Sequence, residues 1–156
     1  MKNLTFFCLT LNPEHESMIK KLSYIPVGLG DNKFSEDCFT DKKGENIAKK
    51  NPNYGEYTFH YWIWKNYLEN IKSEWVGFCQ YRKFFIKENS KETNFNSFNS
   101  LNENIMKDIP EDLKNYDCIL GEQSYVNNFK FMKFFKQNPL KIIFSPSYMF
   151  KKEKRN

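Results

Sequence analysis

Leu4 to Leu11 reads Leu-Thr-Phe-Phe-Cys-Leu-Thr-Leu, a near-continuous apolar run rich in strand formers. A strand buried on both faces of a parallel sheet has this appearance. Asn12-Pro13 ends the run, and Met18, Ile19 and Leu22 then recur at helical spacing, predicting a short helix over 14–22. An extended piece follows at Tyr24 to Leu29, where Pro26 points to an edge or short strand. From Asp31 to Lys50 no period is sustained, so this stretch reads as a loop or a pair of short turns. Structureless segments of about twenty residues in compact domains are usually functional.

Asn53 with Glu56 three residues later fits a capping box. Tyr57, Tyr61, Trp64, Leu68 and Ile71 then recur at three- and four-residue steps, predicting a helix with a broad aromatic face. Trp62 and Trp64 fall on different faces of that helix, so at most one packs inward. Trp75 to Phe85 reads as the next strand, apolar at first and polar from Gln80. Residues 88–104 are rich in Asn and Ser, the composition of a mobile insertion. Asp108 to Leu113 reads as a short helix with Pro110 in its first turn, and Tyr116 to Leu120 as a third buried strand ending at Gly121. Phe129, Phe131, Met132, Phe134 and Phe135 alternate with Lys in a helical pattern that Pro139 stops.

Strand and helix alternate along the chain, which predicts an α/β domain with a mainly parallel sheet and helices on both faces. Ligands of such sheets bind beyond the carboxyl ends of the strands. That rule selects three places: Thr10 to Asn12, Gln80 to Lys83, and Gly121 to Gln123.

Composition narrows this picture only slightly. The 156 residues suffice for one domain with a real core. An aromatic content of 18% suits sugar rings and bases, but it suits a plain core equally. A net charge of +5 favours anionic partners, and most of the excess lies in the last third, from Lys130 to Arg155. The four cysteines are scattered and form no Cys-x-x-Cys pair, the usage of a cytoplasmic protein with reduced thiols. Cys8, Cys79 and Cys118 each sit in an apolar run, where a free Cys is a small buried hydrophobe. Neither His15 nor His60 has metal-ligand spacing to a Cys, which argues against structural zinc. No apolar run approaches the roughly 20 residues of a membrane-spanning helix, so membrane association would be peripheral.

Two blocks carry a resemblance. Gly44-Glu45-Asn46-Ile47 through Tyr61-Trp62-Ile63-Trp64-Lys65-Asn66, followed by Val76-Gly77-Phe78-Cys79-Gln80-Tyr81-Arg82-Lys83-Phe84-Phe85, resemble the bacterial family of capsular and exopolysaccharide glycosyltransferases described as a domain of unknown function. Tyr24-Ile25-Pro26-Val27-Gly28 and Asn115-Tyr116-Asp117-Cys118-Ile119-Leu120 fall where that family has similar pieces. The similarity runs from about residue 3 to about residue 123. It implies a GT-A-like, Rossmann-like nucleotide-sugar domain over 1–123, with the insertion at about 88–104. Residues 124–156 then form a basic, aromatic segment, read as a truncated continuation. That family usually has His in place of Gln80, Arg in place of Lys83, Ser in place of Ala48 and Leu in place of Tyr57. Gln80 is the departure with chemical weight, because an amide hydrogen-bonds without exchanging a proton near neutral pH.

The resemblance implies transfer of a sugar from a nucleotide-sugar donor to a polysaccharide or lipid-linked glycan acceptor, in the cytoplasm at the inner face of the membrane. The leaving diphosphate must be stabilised by a divalent metal or by fixed cations. The chain contains no Asp-x-Asp, and Gln80-Tyr81-Arg82 occupies the strand end where metal-dependent GT-A enzymes place their acidic pair. Arg82, helped by Lys83, is the expected substitute, since a guanidinium bonds phosphate oxygens in bidentate fashion. Without the resemblance this is a solvated Arg-Lys pair at a strand end. Gln80, Arg82 and Glu56 are the catalytic candidates, and Thr10, Asn46, Asn51, Arg82 and Lys83 the donor-binding ones. Glu56 is equally an ordinary cap, and Asn46 and Asn51 ordinary turn formers. Asp31, Asp37 and Asp41 are unranked carboxylates in the long loop, and His60 reads as a half-buried aromatic neighbour. The Phe/Lys stretch from Phe129 to Lys136 suits an anionic membrane surface or the cover of a sheet. Two alternatives stay open: an inactive donor-binding remnant of such an enzyme, and an RNA-binding module using basic and aromatic residues. The second lacks any recognised RNA-binding motif, so no nucleic-acid partner is expected.

Overall fold

The computed structural model describes residues 3–81, 83–87, 90, 95 and 97–121. The chain divides into two compact units, Met1–Ile119 and Leu120–Asn156. All elements below belong to the first. The helical pattern from Phe129 to Lys136 and the basic end of the chain lie outside the described residues.

Four parallel strands form an open sheet in the order β3-β2-β1-β4, giving the expected α/β fold. β1, Leu4–Thr10, is central because its side chains are apolar on both faces. Leu4, Phe6 and Cys8 join one core cluster with Ile19 and Leu22 of the α1 region (α1, Glu16–Lys21) and with Ile105, Met106 and Ile109. Phe7 and Leu9 point the other way and meet Phe59, Trp62 and Ile63. Six of these core residues, Phe7, Cys8, Ile19, Leu22, Phe59 and Ile105, are fully buried. Burying a large apolar side chain contributes on the order of 1.5–3 kcal/mol, so these two clusters dominate the stability of the unit.

β2, Ile25–Gly28, is short as expected but lies inside the sheet rather than at its edge. The reason is directional. Leu29 N–H donates to Thr10 O, so by alternation the missing N–H of Pro26 would face β3. β3 is only Phe39–Thr40 and pairs with Val27 and Gly28, leaving position 26 no ladder partner to lose. The stretch 31–50, read as loop, therefore contains one short strand. β4, Trp75–Gln80, pairs with β1 along its whole length and stops five residues sooner than predicted. Lys83 N–H donates back to Gln80 O at 2.8 Å, and this turn ends the strand. Phe85 then packs its ring against Phe6.

The predicted capping box does not form. Gly55, at φ 54°, breaks the chain into α2, Asn51–Tyr54, and α3, Tyr57–Asn66, which leaves Asn53 inside the first of them. Glu56 precedes α3 but makes no capping bond. The joint is held by Asn51 Nδ2, which donates to Gly55 O at 2.9 Å and to Thr58 Oγ1 at 3.1 Å. α3 buries Thr58, Phe59, Trp62 and Ile63, whereas Tyr57 and Trp64 are exposed, as is Leu68 in the following turn. The aromatic face that the spacing singled out is thus the solvent face, and Lys65 Nζ lies 4.1 Å from the centre of the Trp64 ring. Both stripes have helical spacing. The buried one is the stripe with fewer polar atoms to satisfy, and its indole N–H finds Lys43 O at 2.5 Å.

Residues 98–104, assigned to the insertion, form α4, Phe98–Asn104, capped by Ser97. Pro110 precedes a single turn at Glu111–Leu113, close to expectation. Tyr116 to Leu120 forms no strand, and Tyr116 and Cys118 are exposed. A run this short, interrupted by Asp117, specifies a strand only where a neighbour offers a ladder. Of it, Ile119 packs on the first cluster.

Candidate functional site at the strand ends

β1, β2 and β4 finish side by side, and beyond their carboxyl ends lies a cavity of about 400 Å³. Its polar wall comes from Thr10, Asn12 and His15 on the first crossover, Asn51 and Glu56 at the helix joint, and Gln80 and Tyr81 on the β4 turn. A second cavity of about 270 Å³ shares Leu9, Glu56 and Gln80 and adds His60, Phe78 and Lys83. The arrangement follows from topology, since parallel strands send all their exits to one side of the sheet.

Thr10, Asn51, Glu56 and Gln80 thus converge on the first cavity, and Lys83 borders the second. Asn46 does not reach either wall. It is exposed and serves its own loop, donating to Lys42 O and Gly44 O and accepting from Ala48 N–H. An Asx turn uses up the amide that was expected to meet a ligand. Arg82 lies outside the described residues, as does Gln123, and Gly121 follows no strand.

Asn12 and Tyr81, which fall within two of the stretches the strand-end rule selects, also line the cavity, and His15 joins them from outside those stretches. Asn12 caps the Pro13–His15 turn, its Oδ1 accepting from Glu14 N–H at 3.1 Å. That turn carries His15 back over the strand end, where its Nδ1 lies 2.8 Å from Thr10 Oγ1. The imidazole stacks on the Tyr81 ring with centroids 3.6 Å apart. The signal in the sequence was the Asn12-Pro13 stop itself, which brings the next side chains back to the strand end.

Among the described residues, the side chains of Glu56 and Gln80 make no hydrogen bond within the protein, and Asn51 Oδ1 is likewise open. Burial holds the His60 imidazole below its ordinary value of 6.5, with its ring 4.4 Å from Phe78. It is a neutral aromatic neighbour at pH 7, as its position in the sequence suggested. The three loop aspartates separate clearly. Asp31 is exposed; Asp37 is held at about 2 by bonds from Lys20, at 2.6 Å, and Ser35. Asp41, just after β3, is 1% exposed, and among the described residues neither carboxylate oxygen has a hydrogen-bond partner.

The cavity donors are one hydroxyl, amides, an imidazole, a phenol and a single carboxylate. A divalent cation is held by several hard oxygens, and among the described residues no group of three or more His, Cys, Asp or Glu stands together. These residues do not fit a resident divalent metal. Among the described residues no helix is long and apolar enough to cross a membrane.

A family model described as Domain of unknown function (DUF4422) matches residues 9–145. No curated protein and no solved structure matches the chain.

Proposed function

The chain belongs to the DUF4422 family, and on that premise we propose that it is the nucleotide-sugar domain of a glycosyltransferase. In this proposal it transfers a sugar to a polysaccharide or lipid-linked glycan in surface polysaccharide assembly, at the inner face of the cytoplasmic membrane. The observation that carries the proposal is the cavity beyond the carboxyl ends of three parallel strands, walled by Thr10, Asn51, Glu56 and Gln80. Sugar hydroxyls are read by side chains that both donate and accept, and amides beside one carboxylate provide that set. The matched range spans every residue of this wall.

The proposal assigns charge neutralisation of the leaving diphosphate to Arg82 and Lys83, which follow Gln80-Tyr81 directly in the chain. Fixed cations stabilise charge where it develops on bond breaking, without needing metal carboxylates. Glu56 and Asn51 hold sugar hydroxyls, and Gln80 orients the donor through hydrogen bonds without taking up a proton.

Titration calorimetry of the full chain with a panel of UDP- and GDP-hexoses, together with assay of nucleoside diphosphate release, tests this reading. Saturable binding of at least one donor, accompanied by release, is expected. Binding with no release in the presence of glycan acceptors identifies the remnant described above. Binding to none of the panel removes the proposal.

A further inference from the structure

His15 is placed by a network that selects between the two tautomers of its neutral ring. Three contacts converge on the Thr10 hydroxyl. Asn12 N–H donates to Oγ1 at 3.1 Å, Oγ1 lies 3.3 Å from Asn12 O, and it lies 2.8 Å from His15 Nδ1. A threonine hydroxyl donates once and accepts twice. A carbonyl oxygen only accepts, so the contact with Asn12 O consumes the one hydroxyl proton. Every contact is then a hydrogen bond only when Nδ1–H donates to Oγ1. In the neutral ring that tautomer leaves Nε2 as a bare lone pair, and no hydrogen bond to it exists among the described residues.

The ring cannot easily leave this pose. It lies flat on Tyr81, with 16° between planes, and Thr10, which holds it, is 6% exposed at the end of the central strand. A base whose second nitrogen is tied to an orienting group, in a cavity that admits a ligand, has the geometry of a proton acceptor. Gln80, on the same wall, cannot play this part.

We infer that His15 is the general base of the transfer reaction, its Nε2 accepting the proton of the acceptor hydroxyl and Thr10 positioning it; this rests on the glycosyltransferase reading above. The hydroxyl proton passes to Nε2 as the oxygen forms a bond to the anomeric carbon. The bond from that carbon to the diphosphate oxygen breaks, its electron pair leaving with the nucleoside diphosphate. The imidazolium then returns its proton to water. Direct displacement of this kind inverts the anomeric configuration. The titratable groups around His15 are Tyr81 beneath its ring, Glu56 on the cavity wall, and Glu14 and Glu16 on its own turn and helix.

His15→Asn is the informative variant, because its amide can still donate to Thr10 but offers no base. With UDP- and GDP-hexoses as donors and water as acceptor, nucleoside diphosphate release should fall by a factor of about 10² to 10⁴. Donor affinity by calorimetry should stay within about threefold, and the acid limb of the rate against pH should disappear. Independently of turnover, nitrogen NMR of the wild-type imidazole should show the Nδ1–H tautomer near neutral pH. A variant that keeps the wild-type rate and pH profile, an Nε2–H tautomer, or a wild type that binds donors yet never splits them would each overturn the assignment. Loss of donor binding in step with rate would instead make His15 a binding residue and overturn it too. Only a wild type that binds no donor carries the glycosyltransferase reading down with it.

Discussion

At the end of β1 every hydrogen-bonding capacity of the Thr10 hydroxyl is engaged, by Asn12 and His15, whereas at the end of β4 the Gln80 side chain makes no hydrogen bond among the described residues. Both strand ends face the same cavity, yet one is tied down and the other is open. The difference is instructive because the two states do different work. A group already fixed in position needs no reorganisation when charge moves, which suits proton transfer. An unengaged amide must be ordered by its ligand, and can adjust to several. The contrast also has a stability side, since the tied end depends on partners that become unsatisfied when one is removed.

After His15→Asn, the largest effect should follow from Thr10→Val, which keeps the buried shape and removes the hydroxyl. It leaves Asn12 N–H and His15 Nδ1–H without their acceptor, so urea denaturation should show a loss of about 1–3 kcal/mol, most of it regained in Thr10→Ser. Glu56→Gln comes next. It keeps hydrogen bonding but removes the charge, and donor affinity should fall about tenfold, or about 1.4 kcal/mol, with unchanged stability. A tighter-binding Glu56→Gln would mean that the carboxylate merely repels the diphosphate.

His60 offers a smaller, pH-dependent test on the β4 side. Its folded value is lowered by burial, so below the ordinary 6.5 the unfolded chain takes up a proton that the folded chain refuses. Stability should therefore be undiminished by this group above pH 6.5 and decline as pH falls toward the depressed folded value. Denaturation at several pH values should show that slope in the wild type and a shallower one in His60→Phe. Smallest of all is Gln80→Ala, expected within about 0.5 kcal/mol of wild type in stability. A loss as large as that of Thr10→Val would erase the distinction between the two strand ends.

Much of this arrangement was readable from residue pattern, and the misses have physical causes. β1 was legible because burial on both faces leaves an unbroken apolar run, and the sheet class followed from alternation. The strand-end rule then located Thr10 and Gln80. Periodicity did not identify the inward face of α3, because Tyr57, Tyr61 and Trp64 repeat as regularly as Phe59, Trp62 and Ile63. Only the sheet beneath decides between them. Tyr116 to Leu120 failed for the same reason in reverse, as a strand-like run lacking a described neighbour. His15 went unnoticed because it enters the wall through the turn that follows Asn12, a local fold-back that no spacing rule encodes. Asn46 was placed in the site on chemistry alone, and its own loop had the prior claim on its amide. Among the loop carboxylates, burial rather than residue type distinguishes Asp41.

The joint between α2 and α3 has a consequence for handedness. Gly55 sits at φ 54° and ψ −130°, with nothing within 4 Å of the position a Cβ would take. These angles mirror the extended polyproline conformation, so the obstacle to a side chain there is chirality and not crowding. An L-alanine would be strained there even in open space, whereas a D-residue, whose preferred angles mirror those of an L-residue, meets no such conformational strain. The wall that carries Asn51 and Glu56 thus owes its angle to one residue without a stereocentre.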